Sequence, residues 1–137
     1  MVVIDSSLAF KWFNSSEADV ERALVVWQEH IDKKTTICAP DLIVYELANA
    51  WATKSSLSLK EIKNNLTAFF ESKLEIVNIP ADMVNKSVAF SKKYQVSVYD
   101  AVYAVLAKEK ECFLITADKK FVEKINLSFV KLLKEYK

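Results

Sequence analysis

Short runs of β-branched and apolar residues alternate along this chain with longer stretches in which apolar residues recur every three or four positions. The first pattern reads as buried strand and the second as amphipathic helix. Val2 to Asp5 is the first strand. Ser7 to Phe13 follows as a short helix begun by Ser6 or Ser7 as its cap, and Glu17 to Lys33 as a longer one with Val20, Leu24 and Trp27 along one face. Thr36 to Ala39 reads as a second strand closed by Pro40, and a helix runs from Asp41 to about Lys54. Leu57 to Lys73 forms the next helix, with Ser58 as cap and Glu61 three residues later completing a capping box. Leu74 to Ile79 is a third strand, ended by Pro80. Ala81 to Tyr94 and Val98 to Glu111 are helical by their apolar repeats (Val84, Val88; Val98, Val102, Val105, Leu106), and Cys112 to Thr116 is a fourth strand. Lys119 to Ile125 gives a last short helix before a candidate edge strand, Phe129 to Leu133. Strands separated by helices predict an α/β fold, a parallel sheet covered on both faces. No repeat, low-complexity stretch or linker divides the chain, so one domain is expected over residues 1–137.

Four acids interrupt this apolar pattern. Asp5 ends MVVID, Glu46 interrupts LIVYELANAW, Asp100 interrupts VSVYDAVYAVLA, and Asp118 ends FLITAD. A carboxylate taken out of water costs several kcal/mol unless something compensates, so each needs a partner or a job. On an α/β sheet ligands bind beyond the carboxyl ends of the strands. Asp5 and Asp118 follow two apolar strands and become neighbours if those strands are adjacent. Glu46 and Asp100 lie near the beginnings of helices able to pack over the same edge; the small Ala101, Ala104 and Ala107 after Asp100 suit close packing on a sheet. Plainer readings stand beside this one. Asp5 and Asp118 serve as helix N-caps, Glu46 pairs with Lys54 or faces water, and Asp100 is satisfied by backbone amides or by Lys108. Gathered without a cation, the four would repel one another and some would be pushed toward protonation; a hard divalent cation removes that penalty. Oxygen ligands with no His or Cys nearby select Mg²⁺ or Mn²⁺ over Zn²⁺, and the chemistry implied is that of phosphate esters. The hydroxyls of Ser6 and Thr116, beside Asp5 and Asp118, either orient a water or a phosphate oxygen there or are an ordinary cap and strand threonine.

Composition narrows the setting. The chain has 137 residues, 52% of them apolar, enough for a real core, and a net charge of +1 from 19 basic and 18 acidic side chains. No global field draws it to a polyanion, so contact with nucleic acid falls to local lysines, of which Lys11, Lys54, Lys92, Lys93, Lys119 and Lys120 lie near helix ends or the acidic segments. The chain contains no glycine. That excludes a P-loop, a G-x-G-x-x-G dinucleotide turn and a G-x-S-x-G nucleophile elbow. The sole imidazole, His30, sits among Gln28, Glu29 and Asp32 and reads as exposed helix surface, against a histidine-dependent triad. Cys38 and Cys112 lie in apolar runs and read as reduced core residues. Trp12, Phe13, Trp51, Phe69 and Phe70 are mostly core, with a few left for an apolar groove or a dimer face. The run Ala101 to Ala107 is far shorter than the roughly 18 residues of a membrane helix, and Asp5 falls where a signal peptide needs apolar residues. A cytoplasmic protein is expected.

The segments VVIDSSLAFKWF, PDLIVYELANAW, VSVYDAVYAVLA and FLITADKKF, in that order and spanning the chain, resemble the PIN-domain family, and the size and spacings resemble its VapC-type toxin branch. The resemblance implies a three-layer α/β/α sandwich around a parallel sheet of four to five strands. It implies Asp5, Glu46, Asp100 and Asp118 as metal-binding, catalytic acids, Thr116 as a residue assisting them, and Asn49 as the asparagine that often follows the glutamate. It further implies Mg²⁺- or Mn²⁺-dependent endoribonuclease activity on RNA, a homodimer, and a cognate antitoxin that inserts a segment near the active site. Two departures from the family are the missing glycines and the single arginine, Arg22. Other readings are a non-catalytic RNA-binding or interaction module on the same fold, and another acid-pocket protein. An aspartate-nucleophile phosphatase needs a second Asp where Ser7 stands. A phosphotransfer receiver needs an acceptor Asp ending a later strand, whereas the third strand here ends at Ile79 and Pro80.

Overall fold

Five apolar segments pair into one sheet in the computed structural model, which describes residues 1–136. The strands are β1 (Val2–Ile4), β2 (Ile37–Pro40), β3 (Glu75–Val77), β4 (Phe113–Thr116) and β5 (Val130–Leu132), in the order β3-β2-β1-β4-β5 with every pairing parallel. Val3, Ile4, Ile37, Cys38, Ala39, Leu114 and Ile115 have no solvent exposure. Consecutive rather than alternating burial is what a parallel sheet covered on both faces requires. Among the described residues, seven helices provide the cover: α1 (Ser6–Lys11), α2 (Val20–Ile31), α3 (Leu42–Thr53), α4 (Leu59–Glu71), α5 (Ala81–Tyr94), α6 (Val98–Glu109) and α7 (Lys119–Ile125), with a 3₁₀ turn at Leu133–Glu135.

The chain steps from β1 to β2 to β3 in one direction and then returns past them to β4 and β5. Right-handed crossovers in opposite directions put α1 to α4 on one face and α5 to α7 on the other, giving three layers. Accordingly α1 packs on α2 and α3, and α3 on α4, while α5 packs on α6. Helix α6 lies over β1, β2 and β4, and every residue from Ala101 to Ala107 is buried there. Its alanines let the backbone approach the sheet closely. The reversal of strand order falls between β1 and β4, whose register pairs Ile4 with Ile115. Asp5 and Thr116, the next residues along, therefore leave the carboxyl edge side by side at the crevice where such folds bind ligands.

Helices α5 and α7 have the bounds their patterns predict, and the Ser58–Glu61 capping box forms. Elsewhere tertiary context wins. Asp5, rather than Ser6 or Ser7, caps α1. In α2 the inward residues are Ala23 and Val26, and Leu24 is exposed; in α5 Met83 and Ser87 are buried while Val84 and Val88 are exposed. Ser87 is tolerated inside because its hydroxyl donates to the Met83 carbonyl at 2.8 Å. Strand β3 is shorter than expected, as an edge strand paired on one side. His30 is not free helix surface: the Ile37 N–H donates to its Nδ1 at 3.1 Å and its Nε2 lies 2.9 Å from the Ser72 carbonyl oxygen, so the ring clamps α2 to the start of β2 and the end of α4. Trp51 and Phe69 are core, Phe13 packs edge-on against Trp51, and Phe70 is exposed. Cys38 is buried and Cys112 partly so, both as free thiols. Without glycine, the left-handed residues after α2, α4, α5, α6 and α7 are Lys33, Lys73, Gln95, Glu111 and Asn126. No helix among the described residues is long and apolar enough to cross a membrane.

Candidate active site

Asp5 is the most tightly held of the four acids. Extended backbone at the end of β1 turns its carboxylate onto the first turn of α1, where Oδ1 accepts the Leu8 N–H at 3.1 Å. The Ser7 hydroxyl donates to the same oxygen at 2.7 Å, and the buried Thr116 hydroxyl donates to Oδ2. Each hydroxyl in turn accepts a backbone N–H from the exit of β4, Ser7 from Ala117 and Thr116 from Asp118, both at 3.0 Å. A hydroxyl has one proton, so these acceptor bonds leave both protons for Asp5. The pairing of β1 with β4 thus fixes the carboxylate through side chains from both strand ends. Of its roughly four lone-pair sites, three are taken. Burial nevertheless pushes Asp5 up from its usual 3.8 to about 6, against the three hydrogen bonds and helped by the charge of Asp100.

Asp118 caps α7, accepting the Phe121 N–H at 3.0 Å, so both strand-end acids are caps as well as site candidates. Asp100 stands in the first turn of α6, whose cap Ser97 accepts the Asp100 N–H at 3.0 Å. Burial raises its carboxyl, the Ser97 hydroxyl opposes this, and Asp118 raises it further. Glu46, in the second turn of α3, is also raised by burial; the Tyr103 hydroxyl, which donates to its Oε1, opposes the shift, Asp100 adds to it, and Ser6 and Lys54 oppose it. Asp100 is therefore the common electrostatic neighbour of the other three. None of the four makes an ion pair among the described residues.

Carboxylate and hydroxyl oxygens with no imidazole or thiolate among them fit a hard divalent cation such as Mg²⁺ or Mn²⁺ by donor type, and such a cation would relieve the burial of Asp5, Glu46 and Asp100 together with the repulsion that Asp100 exerts on Asp5 and Glu46 and Asp118 on Asp100. The acids are not drawn into a ready coordination sphere: among the described residues no three Asp, Glu, His or Cys side chains stand close enough to hold an ion as they are. A cavity of about 590 Å³ lies elsewhere, between α5, α6 and the approach to β5, lined by Phe90, Tyr94, Val105 and Phe129, and contains none of the four. Asn49, one turn beyond Glu46, is exposed. Lys11 is buried, its ammonium donating to the Ala18 carbonyl at 2.7 Å, which removes it from the lysines open to RNA. Lys54, Lys92, Lys93, Lys119 and Lys120 are exposed.

Residues 2–126 match the PIN domain. The chain belongs to the PIN-domain family. Its fold is similar to that of the Mycobacterium tuberculosis toxin VapC20, described as cleaving the sarcin–ricin loop, with a TM-score of 0.73 at 11% identity over 95% of this chain and 97% of that one. A toxin–antitoxin complex from Klebsiella pneumoniae matches with a TM-score of 0.72 at 19% identity, over 97% of this chain and 98% of that one. VapBC2 from Rickettsia felis, bound to a fragment of its promoter DNA, matches with 0.71 at 19%, over 96% and 98%. At these identities the likeness is one of fold. A comparison with curated protein sequences gave no match.

Two residues of this PIN domain that touch the acids were not singled out as site residues from sequence. Ser7 follows Asp5 by two positions, but its role depends on β1 lying beside β4. Tyr103 follows Asp100 by three, one helical turn, which is the signal that places both on one face of α6.

Proposed function

We propose that this PIN domain is a Mg²⁺- or Mn²⁺-dependent endoribonuclease, the toxin of a toxin–antitoxin pair, with Asp5, Glu46, Asp100 and Asp118 as its cation-holding acids and Thr116 as their aid. The reading is carried by the Asp5 carboxylate, held by Ser7, Leu8 and Thr116 where β1 and β4 end side by side, with the charge of Asp100 acting on it and on Glu46. The donor types, the fold of the toxins it is similar to and the partners named with them support it. The cation, when bound, polarises the phosphoryl oxygen and lowers the pKa of a water, so no side-chain nucleophile is needed. The chain's own part is to hold the carboxylates. Ser7, Leu8 and Thr116 fix Asp5, while Ser97 braces Asp100. Exposed Lys119 and Lys120, directly after Asp118, are suited to hold the phosphates flanking the cleaved bond, as is Lys54 near Glu46. A cognate antitoxin, a homodimer and a cytoplasmic setting complete the reading.

The separation of the acids favours one competing reading, a non-catalytic RNA-binding or interaction module. Incubating the purified chain with total RNA separates the two. Cleavage with Mn²⁺ that stops in EDTA and is lost in Asp100→Asn supports the nuclease; RNA binding with no cleavage under any divalent cation supports the module.

A further inference from the structure

Glu46 is held differently from its three companions. Asp5 and Asp118 receive N–H groups from the first turns of the helices they cap, and Asp100 sits in the first turn of α6 beside Ser97. Glu46 stands in the second turn of α3, where the backbone N–H groups already serve the helix, and it carries one more rotatable bond than an aspartate. Only side chains can aim it. Tyr103 is 2% exposed, its ring fixed in the core, so packing sets the place of its hydroxyl and Glu46 comes to it. The like charge of Asp100 repels the Glu46 carboxylate, and the charge of Lys54 favours it. The Tyr103 hydroxyl donates to Oε1 and, with Ser6, holds the carboxylate against the repulsion of Asp100. Because Tyr103 lies one turn after Asp100, a single helix presents one acid and also the group that aims a second acid from across the sheet edge.

We propose that Tyr103 is a positioning residue that keeps the Glu46 carboxylate with Asp100 and so sets the affinity of the site for a divalent cation. This rests on the reading of the four acids as a cation site. Tyr103→Phe keeps the buried ring and removes the hydroxyl alone. Mn²⁺ binding is measured by calorimetry on the full chain for the wild type, Tyr103→Phe, Glu46→Gln and the double variant, with circular dichroism in EDTA to verify the fold of each. Tyr103→Phe is expected to weaken Mn²⁺ binding about 10- to 100-fold, the range found for groups that orient metal ligands. The same change in the Glu46→Gln background is expected to add little. Unchanged affinity in Tyr103→Phe, or an equal loss in both backgrounds, overturns the positioning role while leaving the cation site standing. A wild type that binds no Mn²⁺ overturns both.

Discussion

Replacing Asp5 with Asn is expected to stabilise the cation-free protein at neutral pH, although it removes a residue central to the proposed chemistry. The Asp5 carboxyl is pushed from 3.8 to about 6 because burial outweighs the bonds from Thr116, Ser7 and Leu8. An acid with a raised folded-state pKa retains protons that the unfolded chain has released. Stability is therefore lost as pH rises from about 4 through about 6, and the loss is complete above that. At about 1.4 kcal/mol per pH unit the displacement corresponds to about 3 kcal/mol at neutral pH. Asparagine keeps an acceptor for Ser7 and Leu8 but turns an amide N–H₂ toward Thr116, whose hydroxyl must rotate, returning about 1 kcal/mol of that gain. The net expectation is that Asp5→Asn is more stable by about 1–2 kcal/mol near pH 7.5 in EDTA, with the advantage gone near pH 4.5. Urea denaturation followed by circular dichroism at both pH values measures it. With Asp5 in the proposed cation site, saturating Mn²⁺ is expected to reverse the ranking, since the wild type would gain the binding free energy that Asp5→Asn forfeits. An Asp5→Asn protein that is less stable than wild type by the same amount at both pH values refutes the burial argument.

Three further substitutions probe other parts of the structure. Thr116→Val leaves Asp5 without its Oδ2 partner and the Asp118 N–H without an acceptor; about 1–3 kcal/mol of stability should be lost, together with Mn²⁺ affinity, by urea titration and calorimetry. His30→Ala leaves the Ile37 N–H and the Ser72 carbonyl unpaired, and is expected to cost a similar 1–3 kcal/mol or so while Mn²⁺ affinity stays at the wild-type value. Lys73→Gly places glycine at a left-handed position, φ 53°, and is expected to raise the urea midpoint by the equivalent of about 0.5–1 kcal/mol; a lowered midpoint would mean that Lys73 carries a contact worth more than its backbone strain.

Much of the fold was legible because its signals are local. Pro80 and the lysines near Tyr94 bracket α5, Ser58 and Glu61 announce the start of α4, and Asp118 announces α7. Unbroken apolar runs ending in an acid placed Asp5 and Asp118 at strand ends, and a sheet fixes such positions firmly. Signals that depend on partners were not legible. Val84 and Val88 look like a core stripe, yet α5 turns Met83 and Ser87 inward, since Ser87 can bond its own helix and pack closely. His30 and Lys11 look like solvated surface from their neighbours in sequence; one clamps two elements and the other reaches a carbonyl of the following loop. For the candidate site, the sequence named the acids but not what holds them. Ser7 matters through Ala117, more than a hundred residues away, and Tyr103 through Glu46 on another helix.

The central claim, that the acids around Asp100 form a divalent-cation site, is tested most directly by anomalous diffraction at the manganese edge from crystals grown with Mn²⁺. A peak is expected at the crevice between β1 and β4, with carboxylate oxygens of Asp5 and Asp100 at about 2 Å, the distance small divalent ions require of oxygen ligands. Saturating Mn²⁺ with no peak there, in a protein that still cleaves RNA, would contradict it.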